Sequence, residues 1–130
     1  MILLSSCLPI PHRTQVIPEI FAKITNNGIP LSGVKVIIYR DRYDKDKGRP
    51  KLVIVTDSNG EIKFKGDKDF HAFMMLGDPI STWSMDIVYK NIVYLGWKDF
   101  GIGYAEQSQK FICELSYKQP EKSMNQGICK

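Results

Sequence analysis

A regular succession of short alternating segments constrains this chain more than any other feature. From residue 18 to residue 117, stretches in which every second residue is apolar are separated by turn signals about every 8–12 residues. In one such stretch Ile20, Ala22 and Ile24 alternate with polar or outward positions, and Asn26-Asn27-Gly28 ends it. No window keeps the period of a long amphipathic helix. The pattern therefore predicts an all-β fold, a single antiparallel β-sandwich of about seven or eight strands.

Length and charge set the limits of the fold. The 130 residues correspond to one domain, and the longest apolar run is shorter than the roughly 18 residues of a membrane-spanning helix. The chain has 18 basic and 14 acidic side chains, so its net charge is +4. This excess is too small for a dedicated nucleic-acid-binding protein, which carries a clustered basic face. We therefore expect no nucleic-acid partner.

The charged segment Arg40–Lys51 is the first candidate binding region. Basic and acidic side chains alternate along it, which is typical of a solvated loop whose charges neutralise one another. Long loops on β-sandwiches also carry recognition, so a docking loop is the alternative. Its candidate binding residues are Arg40, Arg42, Tyr43 and Arg49.

A set of aromatic residues in the second half is the other candidate. Its members are Trp83, Tyr94, Trp97 and Tyr104. Tyr94 and Trp97 are separated by an odd number of positions, so on a regular strand they face opposite sides of the sheet. Exposed tyrosine and tryptophan are preferred anchors of protein interfaces, and packing in the core or beneath loops is the alternative.

The N-terminal segment Leu4-Ser5-Ser6-Cys7 resembles the lipobox of bacterial lipoproteins. The resemblance implies a signal-peptide remnant at residues 1–6, an acylated Cys7, and a proline-rich tether that extends to residue 17. Residues 18–130 are then the domain, including a C-terminal cysteine loop. By the same analogy the protein is lipid-anchored in the periplasm, at the inner leaflet of the outer membrane. The alternative is an apolar tail with a chance cysteine.

Export to an oxidising compartment would favour a disulfide between the two remaining cysteines. Cys113 and Cys129 would close a loop of about 15 residues, worth about 3 kcal/mol on the chain-entropy model. Two free buried thiols are the alternative. No CxxC pair exists, and His12 and His71 are far from both cysteines in sequence, so we expect no metal and no cofactor.

Two segments resemble the signature of the transthyretin-like, carboxypeptidase-regulatory-like β-sandwich superfamily. They are Gly28–Val36, which reads G-I-P-L-S-G-V-K-V, and Thr56–Phe64, which reads T-D-S-N-G-E-I-K-F. The resemblance implies a prealbumin-like sandwich and says little about function, because such domains have many roles. The enzymatic relatives, the hydroxyisourate hydrolases, end in Tyr-Arg-Gly-Ser, whereas this chain ends Gly127-Ile128-Cys129-Lys130. We therefore expect no catalytic residues.

Together these features predict a non-catalytic periplasmic lipoprotein that acts as a protein-binding module. Its most specific form is an immunity protein that inhibits a secreted toxin, by analogy with small periplasmic lipoproteins. One alternative is a structural lipoprotein of a cell-envelope or secretion-system assembly, and a third is a small hydrolase. The expected partner is a protein, the expected membrane contact is the lipid anchor alone, and a small-molecule ligand is left open.

Overall fold

The computed structural model describes residues 12–71, 80–99, 101–102, 108–116 and 127–130. Within these residues the chain forms β-strands and one short helix. In chain order they are β1 (His12–Ile17), β2 (Glu19–Asn26), β3 (Ile29–Pro30), β4 (Lys35–Tyr39), α1 (Arg42–Asp46), β5 (Leu52–Val55), β6 (Glu61–Phe64), β7 (Asp67–His71), β8 (Ile80–Ser81), β9 (Ser84–Tyr89), β10 (Ile92–Lys98), β11 (Gly101–Ile102) and β12 (Ser108–Glu114).

Four antiparallel strands form the first sheet, in the order β10-β9-β4-β5. Successive side chains on a strand point to opposite faces, so the alternating apolar positions fall on one side. Val36 and Ile38 of β4 and Met85 and Ile87 of β9 are buried on that side. This face of the sheet forms one half of the core.

The second sheet has the order β12-β2-β3, with β6 also paired to β2. Strand β2 supplies Ile20, Ala22 and Ile24 to the core. Strand β12 runs parallel to β2, whereas the other described strand pairs are antiparallel. Residue alternation carries no information on strand direction, so the sequence could not predict this parallel pair.

The two sheets pack face to face. Phe111 of β12 lies 4.9 Å from the Trp97 ring of β10 and 6.2 Å from the Trp83 ring, measured between ring centroids. The buried side chains of both sheets form one apolar cluster. The predicted all-β sandwich is confirmed, with eight strands in two sheets.

Two short ribbons accompany the sandwich, β1 with β7 and β8 with β11. Residues 12–17, which the sequence assigned to a tether, form β1 instead. Their backbone pairs with β7, where His12 is the register partner of His71, and Ile17 is fully buried in the core. The proline-rich run ends at Pro11, so the backbone beyond it is able to donate the hydrogen bonds of a strand.

The C-terminal segment 127–130, here called the terminal seam, joins the edges of the two sheets. The N–H groups of Ile128 and Cys129 donate to carbonyl oxygens of β10 at 3.0 and 2.9 Å. Lys130 exchanges two backbone hydrogen bonds with Ile112 of β12, at 2.9 and 3.0 Å. The seam thus covers one open edge of each sheet, which would otherwise present unpaired backbone groups.

The predicted disulfide is confirmed. Cys113 of β12 and Cys129 of the terminal seam are bonded, and both side chains are buried. The bond fixes the seam to the second sheet. No helix in the described part of the chain is long and apolar enough to cross a membrane.

Candidate functional site

The Arg40–Lys51 segment is an ordered loop that contains α1. The Asp41 carboxylate accepts a hydrogen bond from the Asp44 N–H at 2.7 Å, which caps the N-terminus of the helix. The helix buries no side chain. It therefore has no apolar stripe that would reveal it in the sequence.

The helix is held against the outer face of the first sheet by an ion pair. Lys45 Nζ lies 3.1 Å from Asp86 Oδ1 of β9 and 5.9 Å from the ring centroid of Tyr39. Burial, together with the Asp86 carboxylate, raises the pKa of the Tyr39 hydroxyl. Asp86 is buried, so the pair is a partly desolvated contact that fixes the position of α1.

The two ends of the loop meet at a single carboxylate. Asp67 Oδ2 lies 3.6 Å from Lys51 Nζ and 4.0 Å from Arg40 Nε. The basic side chains at the ends of the loop therefore pair with the body of the domain. An internal pair also exists, between Arg49 and Asp44 at 3.5 Å.

Tyr43 projects from α1 into solvent, with 63% of its surface exposed. Lys47 Nζ lies 5.8 Å and the Arg49 guanidinium carbon 5.1 Å from its ring centroid. Both cations are attracted by the electrons of the ring face. Arg42 is exposed on the same helix. Of the sequence-predicted binding residues that the structure describes, Arg42, Tyr43 and Arg49 are exposed and Arg40 is half-buried.

The three predicted aromatic residues that the structure describes pack in or against the core instead. Trp83 is 0% exposed, and Tyr94 and Trp97 pack against the buried cluster. The expectation that Tyr94 and Trp97 face opposite sides is wrong, because the register of β10 shifts between Leu95 and Trp97. This β-bulge adds one residue, and the added residue brings both rings to the same face.

The outer face of the first sheet carries an apolar surface, here called the valine face, formed by Ile37, Val53, Val55, Val88 and Val93. Val53, Val55 and Val93 are 47%, 56% and 60% exposed. The register places Val93 beside Val88 and Ile37 beside Val53. The sequence analysis did not identify this surface.

The surroundings of the valine face leave it accessible. Lys35 lies between Val88 and Val55 in the cross-strand register and is exposed. Strand β5 is at the edge of its sheet, and α1 covers the part of the outer face around Asp86. An exposed apolar patch beside charged groups is typical of a protein interaction surface.

Glu114 is a buried carboxylate that the sequence analysis also missed. Its Oε1 accepts from the Thr25 hydroxyl at 2.9 Å and the Gly28 N–H at 2.7 Å. Its Oε2 accepts from the Asn27 N–H at 2.8 Å and from the N–H and hydroxyl of Ser116 at 2.9 and 2.7 Å. The hydrogen bond from the Ser116 N–H, followed by those from Gly28 and the Ser116 hydroxyl, lowers the pKa of Glu114 to about 2 although burial opposes the shift.

Glu114 therefore joins the end of β12 to the β2–β3 turn and is fully occupied by that role. Among the described residues, no group of three or more histidine, cysteine or acidic side chains is placed to hold a metal ion. Cys7 and Tyr104 lie outside the described residues.

A protein family model matches the chain. The family model of a domain of unknown function, DUF6795, covers residues 20–118, from β2 to beyond β12. No curated protein matches the chain. Because the match spans most of the sequence and nearly all of the sandwich, the chain belongs to the DUF6795 family.

Proposed function

We propose that this protein is a non-catalytic protein-binding module that docks through its valine face and the adjoining α1 loop. The observation that carries the proposal is the exposure of three valines on one sheet face, 47% at Val53, 56% at Val55 and 60% at Val93. Apolar side chains of this size contribute to stability when they leave water, so their exposure together favours a partner that covers them.

The α1 loop adds an anchor and a charged rim to the valine face. Tyr43 is exposed, and tyrosine is among the residues that contribute most to binding. The basic side chains of Lys47 and Arg49 lie beside its ring, and Arg42 is exposed on the same helix. A basic rim of this kind favours a partner with an acidic surface around an apolar centre.

The most specific form of the proposal is an immunity protein that inhibits a toxin in the periplasm, to which a lipid on Cys7 would anchor it. The lipobox resemblance at Leu4–Cys7 supports this location. The Cys113–Cys129 bond also supports it, because disulfides form and persist in oxidising compartments. An inhibitor of this type acts by covering the toxin and needs no catalytic residue.

Co-expression with the candidate toxin encoded beside this gene tests the immunity proposal. The wild-type chain should restore growth and co-purify with the toxin, whereas the double variant Val55→Asp, Val93→Asp should do neither. The matched control is Ile29→Asp, because Ile29 is 65% exposed and lies on β3 of the other sheet. Rescue by the double variant, or no rescue by the wild type, would reject the proposal.

Mass spectrometry of the full-length product from a Gram-negative host tests the anchor. We expect a diacylglyceryl adduct on Cys7. A soluble product with an unmodified Cys7 would reject lipidation. It would not contradict the proposal that the valine face binds a partner.

We also propose that the sandwich has the transthyretin-like topology. The two motif segments meet at Thr56, whose hydroxyl accepts from the Val34 N–H at 2.9 Å and donates to the Leu31 carbonyl at 2.6 Å. Gly60 of the second motif accepts through its carbonyl from the Ile24 N–H at 2.7 Å. A crystal structure with a strand order different from that of transthyretin would contradict this proposal.

The second candidate function is a structural role in an envelope or secretion-system assembly. Strand β5 favours it, because its four residues Leu52–Val55 are all apolar and lie at the edge of a sheet. Natural edge strands are usually protected by charges or proline, and an edge strand without them can add a strand from another subunit. Among the described residues, β5 pairs only with β4. Cross-linking in intact cells should then give a large assembly in place of a complex with a single toxin.

A further inference from the structure

The outer face of the second sheet, opposite to the valine face, carries a groove of about 650 Å³. Two apolar side chains line it, and four lysines surround them. This lysine groove consists of Phe21, Ile112, Lys23, Lys63, Lys110 and Lys130. It combines apolar contact with a concentration of positive charge, in a chain whose total net charge is only +4.

One half of the lysine groove surrounds Phe21. In the cross-strand register, Phe21 of β2 lies between Lys63 of β6 and Lys110 of β12. Lys63 Nζ is 5.4 Å from the Phe21 ring centroid. The ring is thus flanked by a cation on each neighbouring strand.

The other half surrounds Ile112, which is 61% exposed. Lys23 is its register partner on β2, and Lys130 of the terminal seam is paired to it through two backbone hydrogen bonds. The seam therefore extends the face by one position and adds a basic residue to it. Without the seam, Ile112 would lie at the open edge of the sheet.

Two carboxylates lie at the border of the lysine groove. The Asp57 carboxylate accepts from the N–H groups of Asn59 and Glu61 at 2.8 and 3.0 Å, so it is committed to its own turn. Glu61 is the register partner of Lys23. Four lysines and two carboxylates leave the groove with a net positive charge.

We propose that the lysine groove binds an extended acidic segment of a partner protein, in which an apolar side chain lies between acidic ones. The apolar side chain would pack on Phe21 and Ile112. The carboxylates would meet the exposed lysines Lys23, Lys63 and Lys110. Charge complementarity of this kind increases the association rate and selects the partner. This surface is on the opposite sheet from the valine face, so it goes beyond the proposed function and does not depend on it.

A membrane surface fits the lysine groove less well than a peptide. Phe21 is half-buried, with Lys63 Nζ 5.4 Å from its ring centroid, so Ile112 is the one strongly exposed apolar side chain among the residues that line the groove. Interfacial membrane binding requires protruding apolar side chains on a basic face. Asp57 and Glu61 at the border would also face anionic headgroups.

Fluorescence anisotropy with the oxidised full chain tests the proposal. The probe is a labelled peptide of about nine residues that alternates glutamate with leucine or valine, compared with the same peptide carrying glutamine in place of glutamate. We expect the glutamate peptide to bind at least about tenfold more tightly, and the difference to fall when sodium chloride is raised to about 0.5 M.

Charge-reversal variants assign the binding to the lysine groove. Lys23→Glu with Lys110→Glu should weaken binding of the glutamate peptide by about tenfold or more. The matched control is Lys68→Glu with Lys90→Glu, which changes the net charge equally at exposed positions outside both the lysine groove and the valine face. We expect a change of less than about twofold.

Three results would overturn the proposal. The first is equal binding of the glutamate and glutamine peptides, and the second is an equal loss in the groove and control variants. The third is co-sedimentation with vesicles containing phosphatidylglycerol but no binding of the peptide, which would assign the face to a membrane surface. Circular dichroism of each variant confirms that it is folded.

Discussion

A single carboxylate at the end of β12 accepts hydrogen bonds from three backbone N–H groups and two hydroxyl groups. Glu114 accepts these hydrogen bonds from the end of β2, from the β2–β3 turn and from the residues that follow β12. Buried donors that lose their acceptor cost more free energy than the hydrogen bond itself contributes. Glu114 is therefore a structural residue whose charge stabilises the fold.

Replacing Glu114 with glutamine should lower the free energy of unfolding by about 1–3 kcal/mol, because the new amide group would face donors that need an acceptor. Urea unfolding at neutral pH measures the difference. The control is Glu61→Gln on the exposed surface of β6, where we expect little change. Equal effects of the two substitutions would contradict the role assigned to Glu114.

The free energy of unfolding of the wild type should also decrease as the pH falls through a specific range. The pKa of Glu114 falls from its ordinary value of 4.5 in the unfolded chain to about 2 in the folded one. A lowered pKa stabilises the fold above pH 4.5, and the stabilisation is lost as the pH falls from about 4.5 to about 2. In this range the free energy of unfolding should decrease more for the wild type than for Glu114→Gln. An equal decrease in both proteins would contradict the role assigned to Glu114.

At the scale of elements, the terminal seam depends on one glycine. Gly127 has a φ of +88°, and a Cβ there would meet the Leu95 carbonyl oxygen and lie 2.5 Å from the Gly96 oxygen. Gly33 also has a positive φ, +73°, but its Cβ would have nothing within 4 Å. Substitution of Gly33 therefore measures the free-energy cost of the backbone conformation alone. Substitution of Gly127 adds the cost of the close approach to the β10 backbone.

Gly127→Ala should release the seam from β10, whereas Gly33→Ala should cost only about 1–2 kcal/mol for the left-handed conformation. Hydrogen exchange at the amides of Ile128 and Cys129 measures the release. We expect faster exchange at both amides in Gly127→Ala and no change in Gly33→Ala. Unchanged protection in Gly127→Ala would show that the seam does not need this approach.

Local alternation predicted the strands well, because burial of one face imposes a period of two. Strand β2 contains the predicted alternation of Ile20, Ala22 and Ile24, and it ends at Asn26, where the predicted turn begins. Helix α1 could not be predicted, since it buries nothing, and β1 depends on pairing with β7, which is remote in sequence. The bulge in β10 is a tertiary adjustment that brings Tyr94 and Trp97 to the core.

The candidate site was only half predictable for a related reason. The Arg40–Lys51 loop is visible in the sequence because its charges interrupt the apolar pattern. The valine face is not visible, because the run Leu52-Val53-Ile54-Val55 has the composition of a strand that is buried on both faces. Only the structure shows that Val53 and Val55 face solvent.

At the scale of the whole molecule, the terminal seam and its disulfide close one side of the sandwich. Replacing Cys113 and Cys129 with alanine should lower the free energy of unfolding by about 3 kcal/mol. Urea unfolding measures the change, and the reducing agent dithiothreitol should destabilise the wild type but not the double variant. If both cysteines of the protein, unfolded without prior reduction, react with an alkylating agent, the bond is absent.

The two outer faces of the sandwich differ in chemistry. One is apolar with a basic loop beside it, and the other carries a groove lined by lysines. A module with two such faces could hold two partners at once, which the structural role requires and the immunity role does not. The central claim concerns the valine face alone. Its most direct test locates the partner on that face in the cells that make the protein.

A photo-crosslinking amino acid at Val55 or Val93, compared with one at Ile29, provides that test. All three positions are exposed and apolar, but Ile29 lies outside the valine face. We predict a discrete protein adduct from Val55 and from Val93, with the same partner in both, and none from Ile29. No adduct at the two valine positions, or the same adduct at Ile29, would contradict the proposal that this face binds a partner.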